Sequence, residues 1–191
     1  MMEIIEMETH RLRMRQWKKA DRPIFAQLNA DPLVMKYFPR MLNEWESNRM
    51  ADKIQCLIAE RGWGFWAVEE KERGEFIGFV GLHEPLPELP FTPCVEIGWR
   101  LAKQYWGKGY ATEAANAALE VGFKRLNLAQ ILAFTSVCNR KSRAVMERLN
   151  MLNSQQNFEH PGVPIGSPLR EHVLYKLSKA RWEAVKNAAR S

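Results

Sequence analysis

The order of strand-like and helix-like segments limits what this chain can fold into, and that order changes after residue 101. Before that point, residues 63–69, 75–82 and 94–101 have the composition of strands, and a polar turn joins the first two. After it, a helical segment over residues 111–126 precedes a β-branched and aromatic run over residues 130–137. The first spacing predicts an antiparallel meander and the second predicts a parallel crossover. The sequence therefore predicts an α+β fold.

The remaining segments complete a single predicted domain that spans residues 1–191, without repeats or linkers. An alternation of apolar and arginine side chains predicts a first strand over residues 9–17. The other predicted elements are helices over residues 18–30, 43–60 and 141–149, strands near 152–158 and 170–177, and a helix from residue 178. Four prolines in residues 85–93 predict a stiff surface loop.

Composition excludes several classes of protein. The 28 Lys and Arg residues exceed the 22 Asp and Glu residues by 28 − 22 = 6, but they are spread along the chain and form no block that would follow a nucleic-acid backbone. No run of about 18 apolar residues predicts a membrane span, and the first residues lack the pattern of an export signal. Cys56, Cys94 and Cys138 lie in apolar stretches, which predicts reduced core cysteines and a cytoplasmic protein.

The segment Gln104-Tyr-Trp-Gly107-Lys108-Gly109-Tyr-Ala111-Thr112 follows a predicted strand and leads directly into a predicted helix. Its two glycines allow a ligand to approach the backbone closely, and the helix N-terminus adds roughly half a positive charge. The segment therefore predicts a cradle for an anion such as a phosphate, with a simple tight turn as the alternative.

Two well-known phosphate loops do not fit this segment. A Walker A loop requires Ser or Thr after Gly-Lys, but Gly109 follows Lys108. The dinucleotide fingerprint requires a glycine where Thr112 stands and an acid where Asn139 closes the next strand. A nicotinamide enzyme is therefore not predicted.

The pattern Gln104-x-x-Gly107-x-Gly109 resembles the acetyl-CoA diphosphate loop of the GNAT family of N-acetyltransferases. The preceding Glu96-Ile-Gly-Trp-Arg-Leu101 is similar to the fourth strand of that family. Asn139-Arg-Lys-Ser142 resembles its second cofactor motif, as found in the RimJ/RimL-type branch that acetylates α-amino groups of ribosomal proteins. The similarity covers roughly residues 9–178. It implies the GNAT fold, with a mixed, mostly antiparallel seven-stranded sheet, splayed central strands and helices on both faces.

The resemblance implies an acyltransferase that moves an acetyl group from acetyl-CoA to a primary amine by direct attack in a ternary complex, without a metal. The expected cofactor-binding residues are Trp99, Leu101, Gln104, Gly107, Lys108, Gly109, Tyr110, Ala111, Thr112, Asn139 and Ser142. The backbone of Trp99 and Leu101 would pair with the pantetheine amides, and Lys108 or Arg143 would screen the diphosphate charge. Asn139 has an equal alternative role as a turn or cap residue.

Two residues are the expected catalytic groups. Ser142 stands where a serine is the proposed general acid of the RimL-type branch, although it also suits an ordinary serine at a helix N-terminus. Glu96 is the one carboxylate in an apolar run and is the expected base, unless it is a structural acid paired with an arginine. Backbone N–H groups near Trp99 or Arg100 would polarise the thioester carbonyl. Alternative bases are a water relay, His83, Glu159, His160 and His172.

The acceptor is expected to contact the two N-terminal helices and the loops over residues 85–93 and 160–168. Candidate pocket residues are Trp45, Trp63, Trp66, Phe91 and Phe158, although such aromatic residues are more often core residues. The acceptor is a protein N-terminus, with a ribosomal protein as one partner, or a small amine such as a metabolite, antibiotic or polyamine. A non-catalytic module that binds acyl-CoA is the alternative from another class. Either a monomer or a homodimer is compatible with the sequence.

Overall fold

The computed structural model describes residues 3–85 and 88–189, so residues 86 and 87 of the predicted proline-rich loop lie outside the described residues. The chain divides into two compact units. Within the described residues, the first unit contains the chain up to His83 together with Gly98–Ala118, and the second unit contains the rest. Strand β5 (Glu96–Leu101) begins in the second unit and ends in the first.

The first unit is built on an antiparallel meander in which β1 to β4 pair in chain order. Its elements are β1 (Met7–Glu8), β2 (Leu12–Arg15), α1 (Asp21–Ala30), α2 (Glu44–Arg61), β3 (Phe65–Glu70), β4 (Glu75–His83), the end of β5 and the first part of α3 (Tyr110–Glu120). Helix α2 starts at a capping box in which Asn43 and Glu46 exchange hydrogen bonds. It ends at Gly62, whose φ of 80° is left-handed.

Aromatic side chains from α1, β4 and the segment between β2 and α1 form the core of the first unit. The Trp17 and Phe25 rings lie 4.8 Å apart, and Phe76 and Phe79 pack against both. Trp45, a candidate pocket residue, lies in the first turn of α2 and is 64% exposed, so it is not a core residue. The buried positions of α2 follow a different stripe, which consists of Ser47, Ala51, Ile54 and Ile58.

Gly78 sets the distance between β4 and the end of β5. The β3–β4 register shifts beside it, and its φ is 136°. A Cβ at this position would lie 2.1 Å from the backbone oxygen of Arg100, which no side chain can occupy. Glycine is therefore required where these two backbones approach each other.

The second unit contains the predicted parallel crossover. The start of β5 pairs in parallel with β6 (Gln130–Ser136) at the single position Glu96↔Leu132. Strand β6 then pairs antiparallel with β9 (Glu171–Ser178) along its whole length. The helices of this unit are the end of α3, which continues as a π-turn over Val121–Arg125, then α4 (Arg140–Arg148) and α5 (Lys179–Ala188).

The single strand predicted near residues 152–158 is wrong. Two short strands, β7 (Leu152–Asn153) and β8 (Phe158–Glu159), pair separately with β9. Between them the Asn153 side chain accepts the backbone N–H of Gln155, and Gln155 has a left-handed φ of 58°. This turn breaks the strand because it bends the backbone away from the ladder.

The strand count also differs from the seven predicted, since the described residues contain nine strand segments, of which β1, β7 and β8 have two residues each. The prediction of core cysteines is wrong for Cys56 and Cys138, which are exposed, whereas Cys94 is half-buried. Within residues 3–85 and 88–189, no helix is long and apolar enough to cross a membrane.

Candidate active site

The predicted anion cradle lies in the first unit, where β5 leads into α3. A 3-10 turn over Lys103–Tyr105 follows β5, and α3 begins at Tyr110. Gly107 and Gly109 have left-handed φ values of 73° and 80°. A Cβ on Gly107 would meet nothing within 4 Å, so this glycine is present for its backbone conformation and not for lack of space.

The other predicted residues of this cradle differ in exposure. Gln104 and Lys108 are exposed, and Tyr110, Ala111 and Thr112 are half-buried in the first turn of α3. The Lys108 ammonium lies 5.4 Å from the centre of the Tyr105 ring. The helix start and one exposed lysine ammonium are thus close together in the chain, which is the arrangement that suits a diphosphate.

Arg11 holds the cradle in place from the segment before β2. Its Nη1 donates to the Lys108 backbone oxygen at 2.9 Å, and its Nε donates to Glu113 Oε2 at 2.7 Å. The guanidinium also lies 4.5 Å from the centre of the Tyr110 ring. One side chain therefore binds the loop, the first turn of α3 and an aromatic ring at α3.

Glu113 completes this anchor. Thr9 Oγ1 donates to it at 2.6 Å, and the Arg11 backbone N–H donates at 2.9 Å. Burial alone would raise the pKa of Glu113, but these hydrogen bonds and the Arg11 charge outweigh burial and lower the pKa. Glu113 is therefore charged at neutral pH and forms an ion pair with the Arg11 guanidinium.

The end of β5 contains Trp99 and Leu101. Trp99 is half-buried and Leu101 is buried. The Trp106 indole N–H donates to the Leu101 backbone oxygen at 2.8 Å, so one lone pair of this oxygen already has a partner.

In the second unit, Asn139 and Ser142 form the start of α4. Asn139 is the N-cap: its Oδ1 accepts the Ser142 backbone N–H at 3.3 Å, and its Nδ2 donates to Thr135 Oγ1 at 3.0 Å. The structure thus gives Asn139 the cap role that the sequence left open. Arg143 Nη1 donates to the Val137 backbone oxygen at 3.2 Å, which occupies part of its guanidinium.

The Ser142 hydroxyl is half-buried and has no hydrogen-bond partner among the described residues. Only the backbone of Ser142 takes part in the cap. The side chain is therefore available for a proton transfer without a cost to the helix start.

Glu96 begins β5 in the second unit and forms no ion pair within the described ranges, so the alternative of an arginine-paired structural acid has no support there. Burial raises its pKa to about 8. Its strand partner is Leu132, and strand alternation places Phe134 and Ser136 on the same face of the sheet. A carboxyl group with a pKa near neutrality is well matched to general-base catalysis.

The alternative bases are less suitable. Burial lowers the pKa of His172 to about 4, and its Nδ1 lies 3.0 Å from the Arg170 backbone oxygen. Burial and the nearby Arg170 charge lower the pKa of His160. Glu159 is paired with Arg170, and the His83 ring packs 5.0 Å from Phe65.

Some of the predicted pocket residues form an aromatic group within the second unit. Phe91 packs on Phe134 and Phe158, with ring centres 5.7 and 4.9 Å apart, and His160 and His172 extend the group. Trp66, in the first unit, is completely buried and donates its indole N–H to the Ile5 backbone oxygen, so it is a core residue.

Sequence reasoning missed Thr9, Arg11 and Glu113 as parts of the cradle. Arg11 lies far from the cradle in sequence, and no local pattern connects the two. The only available signal is the acidic residue in the first turn of α3, a common helix feature.

Comparison with known proteins identifies the family of this chain and its fold. A family model described as an acetyltransferase (GNAT) domain matches residues 11–152. A solved GNAT-family acetyltransferase from Bacillus anthracis superposes with a TM-score of 0.77 and 26% identity, covering 92% of this chain and 99% of that one.

Two curated relatives have different described acceptors. The FsC-acetyl coenzyme A-N(2)-transacetylase of Aspergillus fumigatus is 29% identical over 92% of this chain and 77% of its own length. The Bacillus subtilis protein YdaF, provisionally described as a ribosomal N-acetyltransferase, is 32% identical over 59% of each chain.

Proposed function

This chain belongs to the GNAT acetyltransferase family, and we propose that it moves an acetyl group from acetyl-CoA to a primary amine by direct attack in a ternary complex. The observation that carries the proposal is the cradle at the start of α3, with left-handed Gly107 and Gly109 held by Arg11. The open space around Gly107 and the helix N-terminus that follows suit the diphosphate of coenzyme A.

In this proposal the residues of the cradle divide the work of binding. Backbone N–H groups of residues 107–111 bind the diphosphate oxygens, Lys108 screens their charge, and Gln104 and Thr112 add polar contacts. The backbone of Trp99 and Leu101 pairs with the pantetheine amides, and Asn139 supports the start of α4. Within the described ranges no group of His, Cys, Asp and Glu side chains could hold a metal ion, and the proposal uses none.

The chemistry requires two proton transfers. Acetyl-CoA supplies the activated thioester whose C–S bond breaks as the new C–N bond forms. Glu96 takes the proton that the acceptor ammonium must lose, and the Ser142 hydroxyl donates a proton to the departing thiolate sulfur. Solvent afterwards restores the proton on Ser142 and removes the one on Glu96.

A covalent route through Cys94 is less suitable. Burial, together with the negative charge of Glu96, raises the pKa of the Cys94 thiol to about 11. Because the thiolate is the nucleophilic form, Cys94 is almost entirely unreactive near neutral pH. Direct attack is therefore the proposed route.

Two acceptor classes follow from the comparisons. The Asn139-x-x-Ser142 motif and the partial similarity to YdaF support a protein N-terminal α-amine of the RimJ/RimL type. The longer match to the Aspergillus N(2)-transacetylase, whose name does not mention the ribosome, favours the alternative class of a small amine.

An acceptor panel tests the proposed activity. Free CoA would be measured with ribosomal-protein N-terminal peptides, amino acids, polyamines and aminoglycosides, with each signal corrected for the exposed thiols of Cys56 and Cys138. We expect CoA release that depends on one acceptor class. Acetyl-CoA binding without CoA release for any amine would contradict transfer and support a binding module.

A matched pair of glycine variants tests the cradle. Gly74 has a left-handed φ of 67° and, like Gly107, open space around its Cβ position, so alanine costs about 1 kcal/mol of backbone strain at either site. We expect Gly107→Ala to raise the Kd for CoA at least tenfold and Gly74→Ala to leave it unchanged. Equal affinities in the two variants would exclude the cradle as the diphosphate site.

A further inference from the structure

Arg100 is a buried cation without a carboxylate partner among the described residues. Its residue is only 8% exposed, and it lies in the part of β5 that belongs to the first unit. By contrast, the buried Arg15 of the same unit is bonded to both Asp21 and Glu69. Buried charges are normally paired, so the lack of a partner for Arg100 needs an explanation.

The guanidinium is held rigidly on one side. Its Nη1 donates to Asn29 Oδ1 at 2.6 Å, and Asn29 Nδ2 in turn donates to Ser47 Oγ at 2.9 Å. Asn29 and Ser47 are completely buried, so this chain of hydrogen bonds fixes Arg100 against α1 and α2.

Aromatic rings cover the guanidinium. Its central carbon lies 4.1 Å from the centre of the Phe38 ring and 5.4 Å from the centre of the Phe79 ring. Phe38 is half-buried and belongs to the segment that joins α1 to α2. The rings stabilise a cation without neutralising it, so the charge persists although burial lowers the pKa of Arg100 to about 10.

The opposite edge of the guanidinium has no partner. Nε is fully buried and makes no hydrogen bond. Nη2 also has no partner among the described residues and, unlike Nε, it is not one of the fully buried unpartnered atoms, so it keeps some accessible surface. Nη2 is therefore the guanidinium atom that a ligand oxygen can contact, and a charge-assisted hydrogen bond to a carboxylate suits it.

We propose that Nη2 of Arg100 binds a carboxylate of the acceptor, so that the substrate class is an amino carboxylate such as a free amino acid. This inference rests on the proposed acetyl transfer. The carboxylate supplies the negative charge that Arg100 lacks and accepts a hydrogen bond from Nη2. Simple amines and polyamines lack a carboxylate, so Arg100 does not increase their affinity.

The test compares acceptors that differ only at the carboxylate. Leucine, lysine and 4-aminobutyrate would each be compared with the corresponding carboxamide and the decarboxylated amine, and acetylated product would be measured by mass spectrometry. We expect kcat/KM for at least one carboxylate to exceed that of its two analogues at least tenfold. Equal rates within all three sets overturn the inference.

Two variants assign this preference to Arg100. Arg100→Gln removes the charge, and Asn29→Asp, which has almost the same volume, places a competing carboxylate on Nη1. We expect both to reduce the preference to less than threefold. Arg22→Gln is the matched control, because Arg22 lies on α1 and already pairs with Asp52 at 2.6 Å. A carboxylate preference that persists in Arg100→Gln overturns the inference. If Arg100→Gln does not fold, Asn29→Asp decides, and a preference that persists in this variant overturns the inference.

Direct binding separates this inference from the proposed function. Saturation-transfer NMR would measure binding of the same compounds to the CoA-bound protein. Preferential binding of carboxylates without acetylation would contradict the proposed transfer and support the Arg100 subsite. Acetylation of amines without a carboxylate preference in rate or binding would support the transfer and overturn the subsite.

Discussion

Two glutamates of this protein show how local contacts decide the charge of a carboxyl group. Glu113 is partly buried, but Thr9 and Arg11 donate hydrogen bonds to it and lower its pKa. Glu96 is half-buried without such donors, and burial raises its pKa to about 8. The first glutamate is therefore suited to an anchor and the second to proton transfer.

The raised pKa of Glu96 gives a prediction for the pH dependence of turnover. Because Glu96 acts as a base only when deprotonated, kcat/KM should rise with pH up to about 8 and then level off. Glu96→Gln should remove this limb and lower the plateau by roughly 10²-fold or more. Rates across pH 5–10 would be measured, with Glu171→Gln as a control because Glu171 is an exposed acid on β9. A limb that survives in Glu96→Gln would assign the base to another group.

The raised pKa of Glu96 also makes the stability of the folded protein depend on pH. The folded state binds the Glu96 proton more tightly than the unfolded chain, where the pKa is 4.5. The stability that Glu96 contributes is therefore present below pH 4.5 and is lost as the pH rises through about 8. Glu96→Gln should accordingly raise the free energy of unfolding at pH 9 relative to wild type, which denaturant titration at pH 5 and pH 9 would measure.

Ser142 gives a second prediction at this scale. Its backbone N–H serves the N-cap bond to Asn139, so Ser142→Ala leaves the start of α4 intact. Turnover should fall roughly 10²-fold, the usual contribution of a general acid, while the Kd for acetyl-CoA stays within about twofold. Steady-state rates and calorimetry would measure the two effects. Unchanged turnover would remove Ser142 from the mechanism.

At the scale of elements, the start of α3 depends on a contact with Arg11, which lies about a hundred residues earlier in the sequence. Arg11 bonds the Lys108 backbone and Glu113, which fixes the left-handed loop before a ligand arrives. A loop that is ordered in advance loses less conformational entropy on binding than a mobile one. The cradle is therefore a product of two distant segments.

Removal of this anchor should weaken binding without unfolding the protein. Arg11→Ala should raise the Kd for CoA about tenfold, which corresponds to about 1.4 kcal/mol. Glu113→Gln should have a smaller effect of the same sign, and the double variant should be less than additive because the two residues share one contact. Calorimetry would measure these affinities.

Arg13→Ala is the matched control for the anchor, because Arg13 is similarly exposed but pairs with Glu8 and Glu69 away from the loop. Its Kd for CoA should equal that of the wild type. An equal loss of affinity in Arg11→Ala and Arg13→Ala would show a general charge effect in place of an anchor.

At the scale of the whole molecule, the net charge of +6 favours a polyanionic ligand. A ligand that binds only the folded state stabilises it by a free energy that rises with the logarithm of the ligand concentration. At 100 times its Kd, coenzyme A should contribute about 2.7 kcal/mol, which corresponds to a rise in Tm of roughly 5–10 °C.

Pantetheine, which lacks the diphosphate, is the control ligand for this thermal measurement. At the same concentration it should shift Tm by less than about 2 °C, because it makes no contact with the cradle. Equal shifts for the two compounds would contradict diphosphate binding at the start of α3.

The sequence determined the order of most elements and the crossover, because periodicity, caps and turn residues act over a few neighbouring positions, and its motifs implied the GNAT fold by resemblance. Asn43, Gly62, Gly107 and Gly109 are local signals of this kind. Tertiary structure decided what depends on distant segments: the anchor from Arg11 to Glu113, the burial that raises the pKa of Glu96, and the unpaired edge of Arg100. Burial and charge pairing are sums over neighbours in space, and no pattern of nearby residues contains them.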